Sequence, residues 1–242
     1  MTAESRAPRL LLLSNSTNPG TPYLSWALPH ITRFLDGVGS LLFVPYAGVR
    51  IGWDDYTDRV ESALRPLGIE VHGIHRSGDA ARAVHDADAI AVGGGNSFHL
   101  LRHLHDQGLI GPIRERIEAG ARYLGWSAGS NVACPTIRTT NDMPIVEPAG
   151  LRALALVPFQ INPHYTDAVV PSHGGESRAE RLAEFVAVNP GVWVVGLREG
   201  SLLRVNGADV QLDGQPARIF GRREPVEQDA GSDLRFLREP PG

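Results

Sequence analysis

The chain has 242 residues, 42% of them hydrophobic and 21% charged, and a net charge of −4, which suits one well-buried domain and speaks against nucleic acid or an anionic membrane surface as partner. All 23 cationic residues are arginine, so Schiff-base lysine, pyridoxal and P-loop phosphate chemistry are excluded. A lone cysteine, Cys134, rules out an intrachain disulfide and a thiolate-rich zinc site.

Short apolar runs alternating with amphipathic stretches predict a βαβ architecture with a mainly parallel sheet. Strands are expected at 9–13, 40–45, 69–74, 89–92, 123–126 and 193–197, with helices at 25–35, 54–64, 97–105 and 178–188. Ser177 and Glu180 are spaced as a capping box and mark the start of the last helix. Beyond it, runs at 202–205, 210–212 and 217–220 are separated by Asn206-Gly207 and Asp213-Gly214, which predicts an antiparallel meander along one sheet edge. The tail from Arg222 is charged and ends in Pro-Pro-Gly, so it is expected to be poorly ordered. The expected organisation is a single α/β domain over 1–242. The apolar run from Leu10 to Leu13 is too short for a signal-peptide core, and no stretch reaches the length of a membrane span. Cytoplasmic residence follows as the expectation.

Gly125-Trp126-Ser127-Ala128-Gly129 joins a predicted strand to a helix-compatible stretch, the pattern of a nucleophile elbow. The sharp turn needs the glycines, lifts the Ser127 hydroxyl above the strand ends and aims the Ala128 N–H at a developing oxyanion. Gly93-Gly94-Gly95-Asn96 follows another strand. It lacks the third glycine of a dinucleotide fingerprint, so Gly94 and Gly95 are read as further oxyanion donors, with Asn96 facing substrate. The base is expected to be His164, fixed by Pro163 just before it, with His173 as competitor. Two acids can orient that histidine: Glu199, at the end of a predicted strand and favoured on topology, and Asp142, in a polar loop. His99, His103 and His105 lack the glutamate and third ligand of a zinc site, and neither metal nor cofactor is expected. Cys134 reads as a packed thiol.

The runs LLLSNST, VPYAG with WDDYTD, GIHR, VGGGNSFHLL, GWSAGSNVACPTIRTTNDMPIV, FQINPHYTDA and GLREGS extend over residues 9 to 205. Through them the chain resembles peptidase E, the aspartyl dipeptidase family of serine peptidases (family S51). That resemblance implies a three-layer, flavodoxin-like fold of the class I glutamine amidotransferase kind, with an antiparallel C-terminal edge. It also implies Ser127 as nucleophile, His164 as base, either Asp142 or Glu199 as third member, and metal-free hydrolysis of the bond after an N-terminal aspartate. Such a substrate needs a cation for its β-carboxylate, and Arg178, in the first turn of the capped helix, or Arg138 would supply it. The partner is then a small Asp-Xaa peptide. The alternatives are a cyanophycinase-like hydrolase of β-aspartyl-arginine polymer and a non-catalytic binder of small acidic ligands.

Overall fold

The computed structural model describes residues 7–168 and 174–242. Eleven strands occur among them: β1 Arg9–Leu13, β2 Ser40–Val44, β3 Glu70–Gly73, β4 Ala89–Val92, β5 Arg122–Trp126, β6 Gln160–Tyr165, β7 Val194–Arg198, β8 Leu202–Asn206, β9 Asp209–Asp213, β10 Ala217–Phe220 and β11 Val226–Gln228. The α-helices are α1 Leu28–Phe34, α2 Trp53–Leu64, α3 Ala80–Asp86, α4 Ser97–Asp106, α5 Ile110–Glu118, α6 Ala128–Val132 and α7 Arg178–Val188.

Seven strands form the main sheet in the order β3-β2-β4-β5-β1-β8-β9. The first five of these run parallel, and β8 and β9 close one edge antiparallel. The parallel strands read as unbroken apolar runs because both faces are covered. Alternate residues sort cleanly: Leu11, Leu13, Phe43, Ala91 and Trp126 pack with α1 and α2 on one face. Leu10, Leu12, Val44, Val92 and Tyr123 pack with α3 to α6 on the other. The result is three layers, with the carboxyl ends of the parallel strands gathered on one rim, where sites form in open α/β sheets.

The region around the predicted meander differs from expectation. β8 and β9 do form a hairpin, turned at Gly207 with φ 58°. At Gly214, however, the chain leaves this sheet. A Cβ there would lie 2.0 Å from the Gly200 carbonyl oxygen, so only glycine permits the crossing. β10 then pairs antiparallel with β7 in a second sheet of order β11-β10-β7-β6. The predicted strand at 193–197 therefore belongs to this smaller sheet, whose other face packs against α7 through Tyr165, Leu182, Val186 and Phe220. The tail from Arg222, expected to be poorly ordered, carries β11 and buries Leu234 and Leu237. Those two apolar side chains anchor it, and its charged composition gave no hint of them. Among the described residues, no helix is long and apolar enough to cross a membrane.

Candidate active site

The elbow is built as its glycines require. Ser127 sits between β5 and α6 at φ 53°, ψ −114°, a conformation that costs a non-glycine residue about 1–3 kcal/mol. Its N–H donates to Leu13 O at 3.1 Å, and the buried Ser130 hydroxyl reaches both Leu13 O and Gly125 O. A Cβ on Gly129 would stand 2.0 Å from Val92 O, and one on Gly125 would stand 2.7 Å from the Gly129 carbonyl carbon. The turn is therefore held between neighbouring strands that leave no room for side chains.

Beside it, Gly94 lies close enough that a Cβ would be 3.0 Å from Ser127 Cβ. Gly95 has φ 138° and is pressed against Ala47 O. The buried Tyr56 hydroxyl donates to Gly94 O at 2.9 Å and accepts from Trp126 Nε1 at 3.1 Å. Because a trans peptide holds its C=O and N–H on opposite sides, pinning Gly94 O fixes the direction of the Gly95 N–H. Neither Gly94 N–H nor Gly95 N–H has a hydrogen-bond acceptor among the described residues.

His164 arrives from the other sheet. β6 shifts register between Pro163 and Tyr165, and His164 adopts φ 53° at that bulge, a device that re-aims a side chain. Its N–H donates to the Ser14 hydroxyl at 2.9 Å, and that hydroxyl donates to Leu197 O at 2.7 Å. Ser14 thus ties the end of β1 to both β6 and β7. The imidazole Nε2 is 2.9 Å from Ser127 Oγ, and Nδ1 is 2.8 Å from Glu199 Oε1. An ionised carboxylate only accepts, so Nδ1 carries the proton and Nε2 presents a lone pair to the serine hydroxyl. Glu199 follows β7, and the next residue's N–H donates to Asn15 Oδ1 at 2.8 Å.

Both ring nitrogens are thereby occupied, and Asp142 has no place on this imidazole. Its Oδ2 instead accepts from the Ser97 N–H and hydroxyl, both at 2.7 Å, and from Thr140 Oγ1 at 3.0 Å. It closes the start of α4, and its Oδ1 takes no hydrogen bond from the described residues. Asn96 is committed as well: Oδ1 caps α4 through the His99 N–H and Nδ2 donates to Met143 O. His99 bonds Tyr46 O, and His103 packs on Trp53 and Tyr46. No group of three or more potential metal ligands occurs among the described residues. Cys134 is fully buried, and burial pushes its thiol pKa up. His173 lies outside the described residues.

A cavity of about 810 Å³ opens over Ser127 and His164, lined also by Gly94, Gly95, Asp142 and Arg178. Asp142 is the one acid in its described lining, whereas Arg50 and Arg59 join Arg178 there. Arg178 Nη1 donates to His164 O at 2.8 Å, and the capping box at Ser177 and Glu180 is fully formed. Burial lowers the Arg178 pKa, and neighbouring Arg181 adds to this. Arg138 is elsewhere, its guanidinium stacked 5.1 Å over the Phe185 ring. Sequence reasoning missed Ser14, Tyr56, Arg50 and Arg59. Ser14 was visible only as a polar residue ending a strand, and the others as ordinary loop and helix residues.

The chain is also similar to known proteins in sequence and in fold. Peptidase E of Salmonella newport is 51% identical over 205 residues, covering 85% of this chain and 90% of that protein, and peptidase E of Salmonella typhimurium matches to the same extent. In fold, the chain is similar to a peptidase from an acI-B1 actinobacterium, with TM-score 0.70, 17% identity and coverage of 95% and 97%. A putative peptidase E protein from Listeria monocytogenes gives TM-score 0.59, 22% identity and coverage of 93% and 100%. Residues 10–213 match the description of peptidase family S51, and the chain belongs to that family.

Proposed function

We propose that the protein is a serine peptidase that hydrolyses dipeptides beginning with aspartate, through an acyl-enzyme on Ser127. The observation that carries the reading is the unbroken hydrogen-bond chain from Ser127 Oγ through His164 to Glu199, beside two N–H groups without acceptors. His164 Nε2 takes the hydroxyl proton as Oγ attacks the substrate carbonyl carbon. The Gly95 N–H, flanked by that of Gly94, and the Ala128 N–H receive the oxyanion. The C–N bond breaks as His164 returns the proton to the leaving amine, and water then repeats the sequence to release aspartate. Glu199 holds the imidazole tautomer and balances the imidazolium.

The charges of the cavity support the substrate class. A dipeptide Asp-Xaa carries one ammonium and two carboxylates, and the lining holds one acid and three arginines. Asp142 Oδ1 meets the ammonium, Arg178 the β-carboxylate, and Arg50 and Arg59 are the cations left for the carboxylate of the leaving residue. The peptidase E relatives favour the same reading. A single buried thiol fits a reducing compartment, and we assign the enzyme to the cytoplasm.

The test is hydrolysis of Asp-Leu, with Leu-Asp, β-Asp-Leu and β-Asp-Arg as controls, by wild type and Ser127→Ala in the presence of a chelator. Cleavage of Asp-Leu alone, reduced by about 10^4-fold or more in the mutant at unchanged melting temperature, is the expected result. Appreciable turnover by Ser127→Ala would falsify the nucleophile, and preference for a β-aspartyl substrate would move the enzyme to the polymer-hydrolase class.

A further inference from the structure

At the opposite end of the main sheet lies a second cavity of about 340 Å³, lined by Arg9, His30, Arg33, Arg122 and Arg204 among others. Its construction follows from strand register. Arg9 and Arg122 open the neighbouring parallel strands β1 and β5 and stand side by side, and Arg204 of β8 pairs with Leu11. Residues in register share a face of the sheet, so all three arginines rise on the face covered by α1. That helix contributes His30, Arg33 and Phe34 as a roof. Arg122 is five residues before Ser127, about 17 Å along an extended strand, so this cavity is separate from the one over the nucleophile.

The charges there are poorly balanced. Arg204 is paired with Asp213, and Asp36 is the one acid in the described lining. Arg9 donates to Gly120 O and Arg122 to Asp36 O, but these carbonyls carry no net charge to offset the guanidiniums. Arg33 makes no hydrogen bond or ion pair among the described residues. Burial lowers the Arg122 pKa and nearby Arg9 adds to this, while Asp36 and Asp88 oppose it; Asp88 in turn bonds Arg116. His30 Nδ1 is buried without a hydrogen-bond partner among the described residues, 3.9 Å from Asp213. Gathering like charges in a concave, partly desolvated site costs stability, and an anion bridging the guanidiniums removes that cost through charge-assisted, forked hydrogen bonds.

We propose that this cavity is a second binding site, taking a compact oxyanion with about two negative charges: a phosphoryl group or a small dicarboxylate. The excess of roughly two positive charges left after Asp213 and Asp36 sets the valence, and the volume excludes a macromolecule. Arg33 is the residue to remove. It is exposed and has no partner among the described residues, so its loss leaves the fold intact, and it lies far from Ser127.

The experiment is calorimetric titration of inorganic phosphate, and separately of succinate, into the full chain, using wild type, Arg33→Gln and Arg178→Gln. At least one ion should saturate the wild type, weaken about tenfold or more in Arg33→Gln, and bind Arg178→Gln undiminished. Hydrolysis of Asp-Leu by Arg33→Gln in anion-free buffer should equal that of wild type. Which ion binds more tightly distinguishes a phosphoryl ligand from a dicarboxylate. No saturable binding of either ion overturns the proposal. So does binding lost in Arg178→Gln and kept in Arg33→Gln, which would assign it to the cavity over Ser127.

Discussion

The two sheets contribute to the candidate site in different ways. The main sheet supplies Ser127, Gly94 and Gly95, held by backbone contacts so close that Gly125, Gly129 and Gly95 admit no side chain and Gly94 leaves little room for one. The smaller sheet supplies His164 and Glu199, which remain 39% and 48% exposed and are held by side-chain hydrogen bonds, Ser14 chief among them. One half is rigid because strands buried on both faces confine it. The other is positioned by a bulge and a few polar contacts, so its geometry depends on single residues. A reaction that needs atoms within about half an ångström of their places is therefore most sensitive where the two sheets meet.

Substituting the acids tests that division most severely. Glu199→Gln removes the charge that steadies the imidazolium and allows the wrong tautomer, and kcat should fall about 10^4-fold with little change in melting temperature. Asp142→Asn should instead raise KM for Asp-Leu about tenfold, the scale of one charged contact, while kcat stays near wild type. Steady-state kinetics on both variants separates them, and a larger kcat loss in Asp142→Asn would transfer the third catalytic role to the main-sheet side. A smaller effect is expected from Tyr56→Phe, which frees the Gly94 carbonyl. Loosening one oxyanion donor should lower kcat about tenfold, less than the 10^2 or more that follows outright removal. KM and the pH profile should be unchanged, and a change confined to KM would place Tyr56 in substrate binding.

The smallest effect concerns the stability of the smaller sheet. Asp167 bonds Arg198 of β7, Arg218 of β10 and the Tyr165 hydroxyl. Burial raises its pKa, but hydrogen bonds from Arg198, Tyr165 and Arg218 outweigh that and bring it down to about 2. A depressed carboxylate contributes stability that is fully present above its unfolded pKa, about 3.9, and is lost as pH falls through the folded value. Asp167→Asn should therefore cost no more than about 1 kcal/mol at pH 7, since the cluster is partly exposed. The gap from wild type should close between pH 4 and pH 2 in chemical denaturation. A gap that stays constant over that range would show that charge is not what joins these strands.

The same contrast explains how much was legible in the sequence. The five parallel strands begin and end within a residue of expectation because burial on both faces writes each as a continuous apolar run. Ser127 was visible because its conformation demands glycines on either side. The smaller sheet was not, since WVVGL is as apolar as any strand of the main sheet and periodicity does not say which distant strand it joins. The move of β10 hinged on one backbone approach at Gly214 that only the folded chain displays. Tyr56 was legible as part of an amphipathic helix but not as the anchor of a peptide 38 residues away, and Glu199 could be preferred to Asp142 only on grounds of strand-end topology.

Cys134 closes the tight segment that begins at Ser127, its Sγ 3.6 Å from Ser130 O and sealed from solvent. As the one thiol in the chain, it makes the protein a clock for its own interior. An alkylating reagent reacts only when the packing behind the nucleophile opens, so the rate of its uptake times that opening without any label having to be engineered.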